Sequence, residues 1–148
     1  MRIIFRKVDE TSDKDIAQFN ELMDDISEHA FDNELLIRRI REINAREDQY
    51  LLVAEDEERG KICGSLIGVV FNDFCGLCAP VMVIENVVTH HDYRRMGVAR
   101  AMMNEIEEWG RTRGVRYATL CSAMTRKDAH QMYEALGYGE VKGYKKYL

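Results

Sequence analysis

The first half of the chain has apolar residues at strand spacing, followed by apolar residues at helical spacing. Ile3, Phe5 and Val8 mark a first strand. Ser12 is a predicted N-cap, because Asp15 follows three residues later as in a capping box. The helix that Ser12 begins has its apolar positions at Ile16, Phe19, Met23 and Ile26. A second helix is predicted from similar spacing, at Leu36, Ile40 and Ile43.

Strand patterns dominate the middle of the chain. Runs rich in β-branched and apolar residues predict strands over 50–55, 62–71 and 79–89. The charged segment 57–60 ends in glycine and predicts a turn between the first two of these strands. We therefore expect neighbouring strands without a helix between them, which favours antiparallel pairing.

Two further helices are predicted in the second half, and each ends near a glycine. The first has its apolar positions at Val98, Met102, Ile106 and Trp109. It stops before Gly114, and a strand over 115–123 follows. The second helix would be capped by Thr125, with Asp128 at the third position, and ends at Gly137. Its apolar stripe consists of Ala129, Met132, Tyr133 and Leu136.

The order of elements predicts the fold class. The tail 141–148 is expected to add one or two short strands, which gives the order β-α-α-β-β-β-α-β-α-β. Hairpins and a strand–helix–strand unit occur together, so we predict an α/β (α+β) fold with a mixed sheet and helices on both faces. Since the chain has 148 residues and no repeats or linkers, we expect one domain spanning 1–148.

Charge narrows the classes of partner. The formal net charge of -5 disfavours a nucleic-acid binder, whose footprint is basic. The first 20 residues carry charge throughout, and apolar runs stay well below the roughly 18 residues that a membrane span needs. We therefore expect neither a signal peptide nor a membrane partner.

Cysteines and histidines do not fall at metal-ligand spacing. The cysteines are Cys63, Cys75, Cys78 and Cys121. Cys75 and Cys78 form one C-x-x-C pair between two predicted strands, whereas a zinc site needs a second pair and a redox pair would begin a helix. We expect free thiols in a reducing cytoplasm and no metal. His90 and His91 are interpreted as a polar turn at the end of a strand.

The segment 94–99, Arg-Arg-Met-Gly-Val-Ala, joins the strand 79–89 to a helix. The first N–H groups of a helix lack internal partners, and the helix dipole favours negative charge there. Gly97 lets a ligand approach the backbone, and the arginines add phosphate contacts. The pattern predicts a site for a phosphate-bearing cofactor. Taken alone, it also fits a helix start with solvated arginines, and it is neither a dinucleotide fingerprint nor a P-loop.

Two motifs, together with the order of elements, resemble the GNAT N-acetyltransferase superfamily. The motifs are Arg94-x-x-Gly97-x-Ala99 at the strand–helix junction and Ala129-x-x-x-Tyr133-x-x-x-Gly137-Tyr138 near the end of the chain. The resemblance covers nearly the whole chain, and its specific part is 84–138. It implies a mixed, mostly antiparallel central sheet, acetyl-CoA (coenzyme A) as co-substrate, and transfer of the acetyl group to an amine.

The resemblance implies a set of cofactor-binding residues. The loop that holds the CoA pyrophosphate corresponds to Arg94, Arg95, Met96, Gly97, Val98 and Ala99. Arg95 stands where glycine is frequent in the family, but it can still donate its amide. The backbone of the preceding strand, at Val87, Val88 and Thr89, would bind the pantetheine arm and the thioester carbonyl. Arg126 and Ala129 precede the family's tyrosine, and Arg126 either reaches a CoA phosphate or is an exposed first-turn residue.

The resemblance also implies two catalytic residues. Glu85 stands where many members that acetylate small amines have a glutamate that acts as a base through a water. A cleft that removes water from this carboxylate would make it a stronger base, whereas the alternative is a strand glutamate that faces solvent or pairs with a lysine. Tyr133 stands where the family's tyrosine protonates the leaving thiolate. Core packing of its ring is the alternative, and both can hold together. His130 is interpreted as helix surface.

The acceptor is poorly specified by the sequence. In this family the two N-terminal helices form one wall of the acceptor site. Here that segment contains five acidic residues, Glu21, Asp24, Asp25, Glu28 and Asp32. They would either attract a cationic amine or form a solvated acidic helix face.

The sequence thus predicts a cytoplasmic N-acetyltransferase that acts on a small-molecule amine by direct attack in a ternary complex. A protein or peptide N-acetyltransferase and a non-catalytic acyl-CoA sensor are the alternatives. A covalent intermediate on Cys121 would need a histidine partner, and none is evident. Members of the family are often homodimers, but the sequence shows no recognisable dimer interface.

Overall fold

The computed structural model describes residues 1–27 and 31–148. Its elements, in chain order, are β1 (Ile3–Lys7), α1 (Asp13–Met23), α2 (Asn33–Asn44), β2 (Gln49–Asp56), β3 (Lys61–Asn72), β4 (Pro80–Thr89), a 3₁₀ turn (His91–Tyr93), α3 (Val98–Thr112), β5 (Ala118–Leu120) and α4 (Lys127–Ala135). Ser12 caps α1 as predicted, because its hydroxyl accepts a hydrogen bond from the amide of Asp15 at 3.2 Å. Within the described ranges, no helix is long and apolar enough to cross a membrane.

One sheet connects the elements, with the strand order β1-β2-β3-β4-β5. The strands β1 to β4 pair antiparallel in sequence order. β5 runs parallel to β4, because α3 carries the chain back along the sheet before β5 begins. The predicted mixed, mostly antiparallel sheet is therefore confirmed.

Helices cover both faces of this sheet, as predicted. The core under α1 and α2 contains Val8, Phe19, Leu22, Ile40 and Val53, and the core under α3 contains Leu66, Met82, Met102 and Ile106. Two glycines of β3 let α3 approach the sheet closely. A Cβ on Gly64 would lie 2.8 Å from the side chain of Met102, and a Cβ on Gly68 would lie 2.7 Å from that of Ile106. This close packing anchors α3 against the sheet.

The predicted strand 115–123 is mostly wrong, because β5 covers only Ala118–Leu120. Its pairing with β4 extends over residues 82–84 and then stops. The predicted cap of α4 is also wrong, since Arg126 occupies the N-cap and the backbone of Thr125 belongs to the tight turn before it. The amide of Lys127 closes that turn by donating to the carbonyl of Thr125 at 3.0 Å.

The predicted strands in the tail 141–148 are absent from the described structure. Three apolar residues of this tail, Val141, Tyr144 and Tyr147, recur every third position, and these and Leu148 are exposed. A strand alternates its faces every second residue, so this spacing places no continuous apolar row on one face. The three-residue β5 also offers only a short edge for a further strand to join.

Candidate active site

β4 contains a bulge near its end. Two of its residues, Asn86 and Val87, lie opposite one residue of β3. Asn86 takes a φ of 57°, which accommodates the additional residue. As a result, Ile84 packs in the core under α3 and Val88 packs in the core under α1 and α2. Their even spacing would place both on one face of a regular strand, so the bulge changes which side chains face each way.

Beyond the bulge, β4 separates from β5. The parallel ladder ends at the pair Ile84–Leu120. Among the described residues, no strand pairs with positions 85–89 on that side. An unpaired strand edge presents backbone N–H and C=O groups, which can bind an extended ligand.

A cavity of about 160 Å³ opens where the two strands separate. Its lining residues are Ile26, Ile84, Glu85, Asn86, Val87, Leu120, Cys121, Ser122, Arg126 and Tyr133. Four residues that the sequence singled out, Glu85, Val87, Arg126 and Tyr133, therefore meet here. Sites for whole ligands have roughly 300–1,000 Å³, so this cavity has the size for reacting groups rather than for a complete cofactor.

Glu85 is exposed on the cavity wall. Glu85 and Asn86 are consecutive and both exposed, because the bulge breaks the alternation of the strand. Within the described part of the chain, the carboxylate of Glu85 has no ion-pair partner. The side chain thus faces solvent and the cavity, and the removal of water that we expected for it is not present.

Tyr133 is 7% exposed, yet it lines the cavity. Its ring packs in the core under α3 and meets the ring of Tyr138 edge to face, with centroids 6.1 Å apart. Burial raises the pKa of Tyr133 above its ordinary value, while the nearby charge of Arg126 lowers it to a smaller extent. The hydroxyl therefore stays protonated at neutral pH and keeps a proton to donate.

Two residues that follow β5 also line the cavity. The hydroxyl oxygen of Ser122 is buried and has no hydrogen-bond partner among the described residues. It is therefore a polar group that a ligand can satisfy. The sequence carried no signal for Ser122, because the longer strand predicted there would have made it an ordinary strand residue. Cys121 is exposed beside it, and the residues that line the described cavity include no histidine to activate a thiol.

The segment 94–99 forms a helix N-terminus without a side-chain cap. Arg95 (φ 62°) and Gly97 (φ 82°) take left-handed backbone conformations, and Gly97 is the N-cap of α3. A Cβ on Gly97 would meet nothing within 4 Å. Val98 is buried, so it can contribute to a site only through its backbone. The N-terminus of α3 thus lacks a side-chain cap and has open space beside Gly97, as an anion site requires.

Arg94 has partners of its own in this structure. Its Nη2 lies 3.1 Å from Oδ2 of Asp25, and its Nε donates to the carbonyl of Thr89 at 3.4 Å. The ion pair joins the segment after α1 to the loop before α3. Because the pair is largely exposed, it is weak enough for a phosphate to compete with it.

The remaining residues of the predicted cofactor site lie outside the cavity. Val88 is buried in the core under α1 and α2, and Thr89 is half-buried at the end of β4. These two can contribute through the backbone alone. Ala129 packs against the core under α3, one turn before Tyr133 on α4.

The sequence profile of the acetyltransferase (GNAT) family matches residues 16–138. The chain belongs to the GNAT family. The matched range includes the bulge of β4, the loop 94–99 and α4, so it contains the whole candidate site. Members of this family use acetyl-CoA, as the sequence predicted for this chain.

Curated relatives of this GNAT chain match over part of their length. The aminoglycoside N(6')-acetyltransferase type 1 of Acinetobacter genomosp. 13 is 30% identical over 64 residues, which is 43% of this chain and 44% of the relative. The protein of the same name from Acinetobacter baumannii is 27% identical over 64 residues. The matched segment thus spans less than half the length of these relatives.

Solved structures share the fold of the GNAT chain over nearly its full length. A transcriptional regulator from Bacillus halodurans C-125 has a TM-score of 0.87 at 24% identity and covers 99% of this chain and 100% of its own. Glucosamine-6-phosphate N-acetyltransferase from Arabidopsis thaliana has a TM-score of 0.86 at 22% identity over 99% of each chain. AAC(6')-Iy, in complex with a CoA-S-monomethyl-acetylneamine bisubstrate analogue, has a TM-score of 0.79 at 19% identity over 100% of each chain. At these identities the likeness shows the fold alone.

In this GNAT chain, Glu21 is already engaged by basic groups. Its carboxylate lies 3.1 Å from Nζ of Lys61 and 3.4 Å from Nε2 of His90. The hydrogen bonds from these two side chains hold the pKa of Glu21 below its ordinary value. Glu21 is therefore a partly neutralised member of the predicted acidic wall.

The other acidic residues of that wall differ in their surroundings. Asp25 is paired with the arginine described above, and Asp32 caps α2 by accepting from the amide of Leu35 at 3.2 Å. Asp24 is exposed at the end of α1. Glu28 lies outside the described residues. The wall is thus less negative than its composition suggests.

The cysteines of the GNAT chain are free, as predicted. Cys75 and Cys78 are exposed in the loop between β3 and β4. Cys63 is buried, and this burial raises the pKa of its thiol to about 11, which leaves it unreactive at neutral pH. The polar turn predicted at His90 and His91 is present, but His90 is buried, a feature that the sequence did not indicate.

Proposed function

We propose that this chain transfers the acetyl group of acetyl-CoA directly to a primary amine of a small molecule. The observation that carries the proposal is the cavity that brings Glu85 and Tyr133 together where β4 leaves β5. The uncapped N-terminus of α3 follows β4 along the chain, so a candidate anion site comes soon after Glu85 in sequence. Because both cores rest on one sheet, we also propose that residues 1–148 act as one domain.

The groups present fit a CoA-type co-substrate. The first-turn amides of α3 and the open space at Gly97 suit a pyrophosphate. The unpaired edge of β4 at 87–89 suits an extended pantetheine arm. Arg126 is exposed at the N-cap of α4 and supplies positive charge. The buried hydroxyl of Ser122 has no hydrogen-bond partner among the described residues, and a ligand can provide one.

The proposed chemistry divides between two side chains and the backbone. Acetyl-CoA supplies an activated acetyl thioester when it is bound. Glu85 accepts, through a water, the proton that an alkylammonium group must lose before it can attack. A backbone N–H of β4 at 87–89 donates to the oxygen on which negative charge develops. Tyr133 donates its proton to the departing thiolate, which its protonated state at neutral pH allows.

We propose an acceptor with several amines, of the aminoglycoside or polyamine type. The curated relatives that support this choice are aminoglycoside N(6')-acetyltransferases. Exposed carboxylates at Asp24 and Glu85 add negative charge near the cavity residue Ile26, which favours a cation. The ion pairs of Glu21 and Asp25 reduce this attraction.

The test is a transfer assay on the full chain. The chain is incubated with acetyl-CoA and a panel of aminoglycosides, polyamines, amino acids and basic peptides, and products are identified by mass. We expect an acetylated polyamine or aminoglycoside that does not form without the protein. Acetylation of basic peptides alone would favour a protein or peptide acetyltransferase. Binding of acetyl-CoA in the same sample without any product would favour an acyl-CoA sensor and contradict the proposal.

A further inference from the structure

Two histidines and a carboxylate cluster at the turn between β4 and α3. Nδ1 of His90 lies 3.8 Å from Oδ2 of Asp92, and Nε2 of His91 lies 3.2 Å from Oδ1 of the same residue. The three residues offer ligand atoms that all lie within 4.8 Å of one another. His90 is buried, whereas His91 and Asp92 are exposed, so the cluster combines one fixed side chain with two that can adjust.

The orientation of His90 is set by a residue far away in the sequence. Its Nε2 lies 3.4 Å from Oε1 of Glu21 on α1, 69 residues earlier. A hydrogen bond donated from Nε2 to that carboxylate leaves Nδ1 with its lone pair directed to the cluster. The amide of Asp92 donates to this lone pair at 3.3 Å, so an ion must displace that long hydrogen bond to reach Nδ1. A carboxylate that holds the other nitrogen of a histidine is the arrangement found around metal-binding histidines.

We propose that His90, His91 and Asp92 bind a divalent transition-metal ion of the zinc type, separately from the acetyl-transfer cavity. Tetrahedral zinc bonds of about 2.0–2.2 Å place neighbouring ligand atoms roughly 3.3–3.5 Å apart. The two distances to Asp92 lie on either side of that range. Two imidazoles and one carboxylate favour zinc, nickel or cobalt over magnesium, which prefers oxygen ligands. A water completes the coordination.

The stacked histidine rings must separate slightly to bind one ion. Their centroids lie 4.2 Å apart with 28° between the planes. The side chain of His91 is 62% exposed, so it can rotate without disturbing a core. This proposal revises the expectation of no metal. That expectation counted spacing along the chain, whereas Glu21 reaches the cluster from another element.

Cobalt(II) is the probe, because its visible absorption reports the ligand set. The full chain is titrated with Co²⁺, and the bands are compared with those of H91A, D92N and E21Q. We expect one equivalent to bind with nitrogen and oxygen ligands and without a thiolate charge-transfer band. H91A and D92N should each weaken binding by at least about tenfold, and E21Q by roughly 10–100-fold, as for partners that orient a metal-bound histidine.

Matched controls separate this site from other ligands in the chain. Replacement of both Cys75 and Cys78 by serine should leave the spectrum unchanged, as should H130Q, which removes a histidine outside the cluster. Circular dichroism checks that each variant is folded. The proposal is overturned if no saturable band forms, if H91A and D92N bind as tightly as the original chain, or if a thiolate band disappears in the double serine variant.

Discussion

The phosphate loop 94–99 and the cavity around Tyr133 are built in different ways. The loop is one continuous segment, and its essential features are the left-handed φ angles of Arg95 and Gly97 and an uncapped helix start. The cavity takes its walls from the turn after α1, from β4, from the segment after β5 and from α4. Anion binding can therefore be carried by local backbone geometry, whereas proton transfer depends on tertiary contacts. Variants of the two regions should accordingly affect different kinetic quantities.

The largest effect is expected for Y133F, which keeps the ring and removes the proton donor. We expect turnover to fall by about 10²–10³-fold, within the usual range for a general acid. The KM for acetyl-CoA should change little, because the packing of the ring is retained. Steady-state kinetics with a saturating amine measures both quantities.

Y138F is the matched control for this change. Tyr138 contacts the ring of Tyr133 but donates its hydroxyl to Glu107 at 2.8 Å, away from the cavity. We expect turnover close to that of the original chain. Equal losses in the two variants would assign Tyr133 to packing alone.

The pH dependence of turnover sharpens the role of Tyr133. Since burial raises its pKa above the ordinary value of about 10, the hydroxyl is protonated below that raised value and loses its proton only above it. Turnover should therefore show no loss from this group between pH 7 and pH 10. A decline within that range that is absent in Y133F would contradict the raised pKa.

G97E should weaken CoA binding by about 100-fold. Its carboxylate would stand at the helix N-terminus where we place the pyrophosphate, and like charges in contact cost several kcal/mol. Titration calorimetry with CoA measures the affinity. G114E is the control, because Gly114 also has a positive φ (74°) and open space, but lies beyond the other end of α3. Both variants carry similar backbone strain, so equal losses of affinity would remove the loop as the phosphate site.

E85Q should lower turnover by roughly tenfold, with CoA affinity unchanged. The effect is smaller than the usual range for a general base, because Glu85 is exposed and solvent can take part of its role. Turnover is measured across a range of pH, with E108Q on the exposed face of α3 as the control. Identical profiles for E85Q and the original chain would exclude Glu85 as the base.

The smallest effect is expected for D25N, which removes the partner of Arg94. Freed from the ion pair, Arg94 can turn to a phosphate, so CoA affinity should rise by about two- to fivefold. D24N removes the same charge from the neighbouring exposed position and controls for general electrostatics. The gain in D25N should shrink at high salt, because exposed charges are screened. Equal gains in both variants would show that the pair itself has no role.

Much of the fold could be predicted because its signals are short-range. Alternating and helical spacing located the strands β1 to β4 and the helices, and Ser12 identified the start of α1. The predictions failed where tertiary pairing decides. β5 is three residues long because β4 leaves it after Ile84, a consequence of the bulge at Asn86. Asparagine in a strand gives too weak a signal to locate such a bulge.

The predictions for the candidate site succeeded and failed for the same reason. Glu85, Arg126 and Tyr133 were singled out from sequence, but their meeting in one cavity depends on how β4 and α4 are placed relative to each other. The orphaned hydroxyl of Ser122 and the ion pair of Arg94 with Asp25 were not predicted. Their partners, or the lack of them, depend on residues that are distant along the chain.

By itself, the sequence determined the order of elements, the membership of the GNAT family and the helix start that offers an anion site. These features depend on backbone preferences and spacing within a few residues. Only the tertiary structure decided how far β4 and β5 pair, how charged the acidic wall remains, and that Glu21 orients His90 across 69 residues. The physical reason is that hydrogen bonds, burial and ion pairs depend on distances in space, which the spacing along a chain does not reveal.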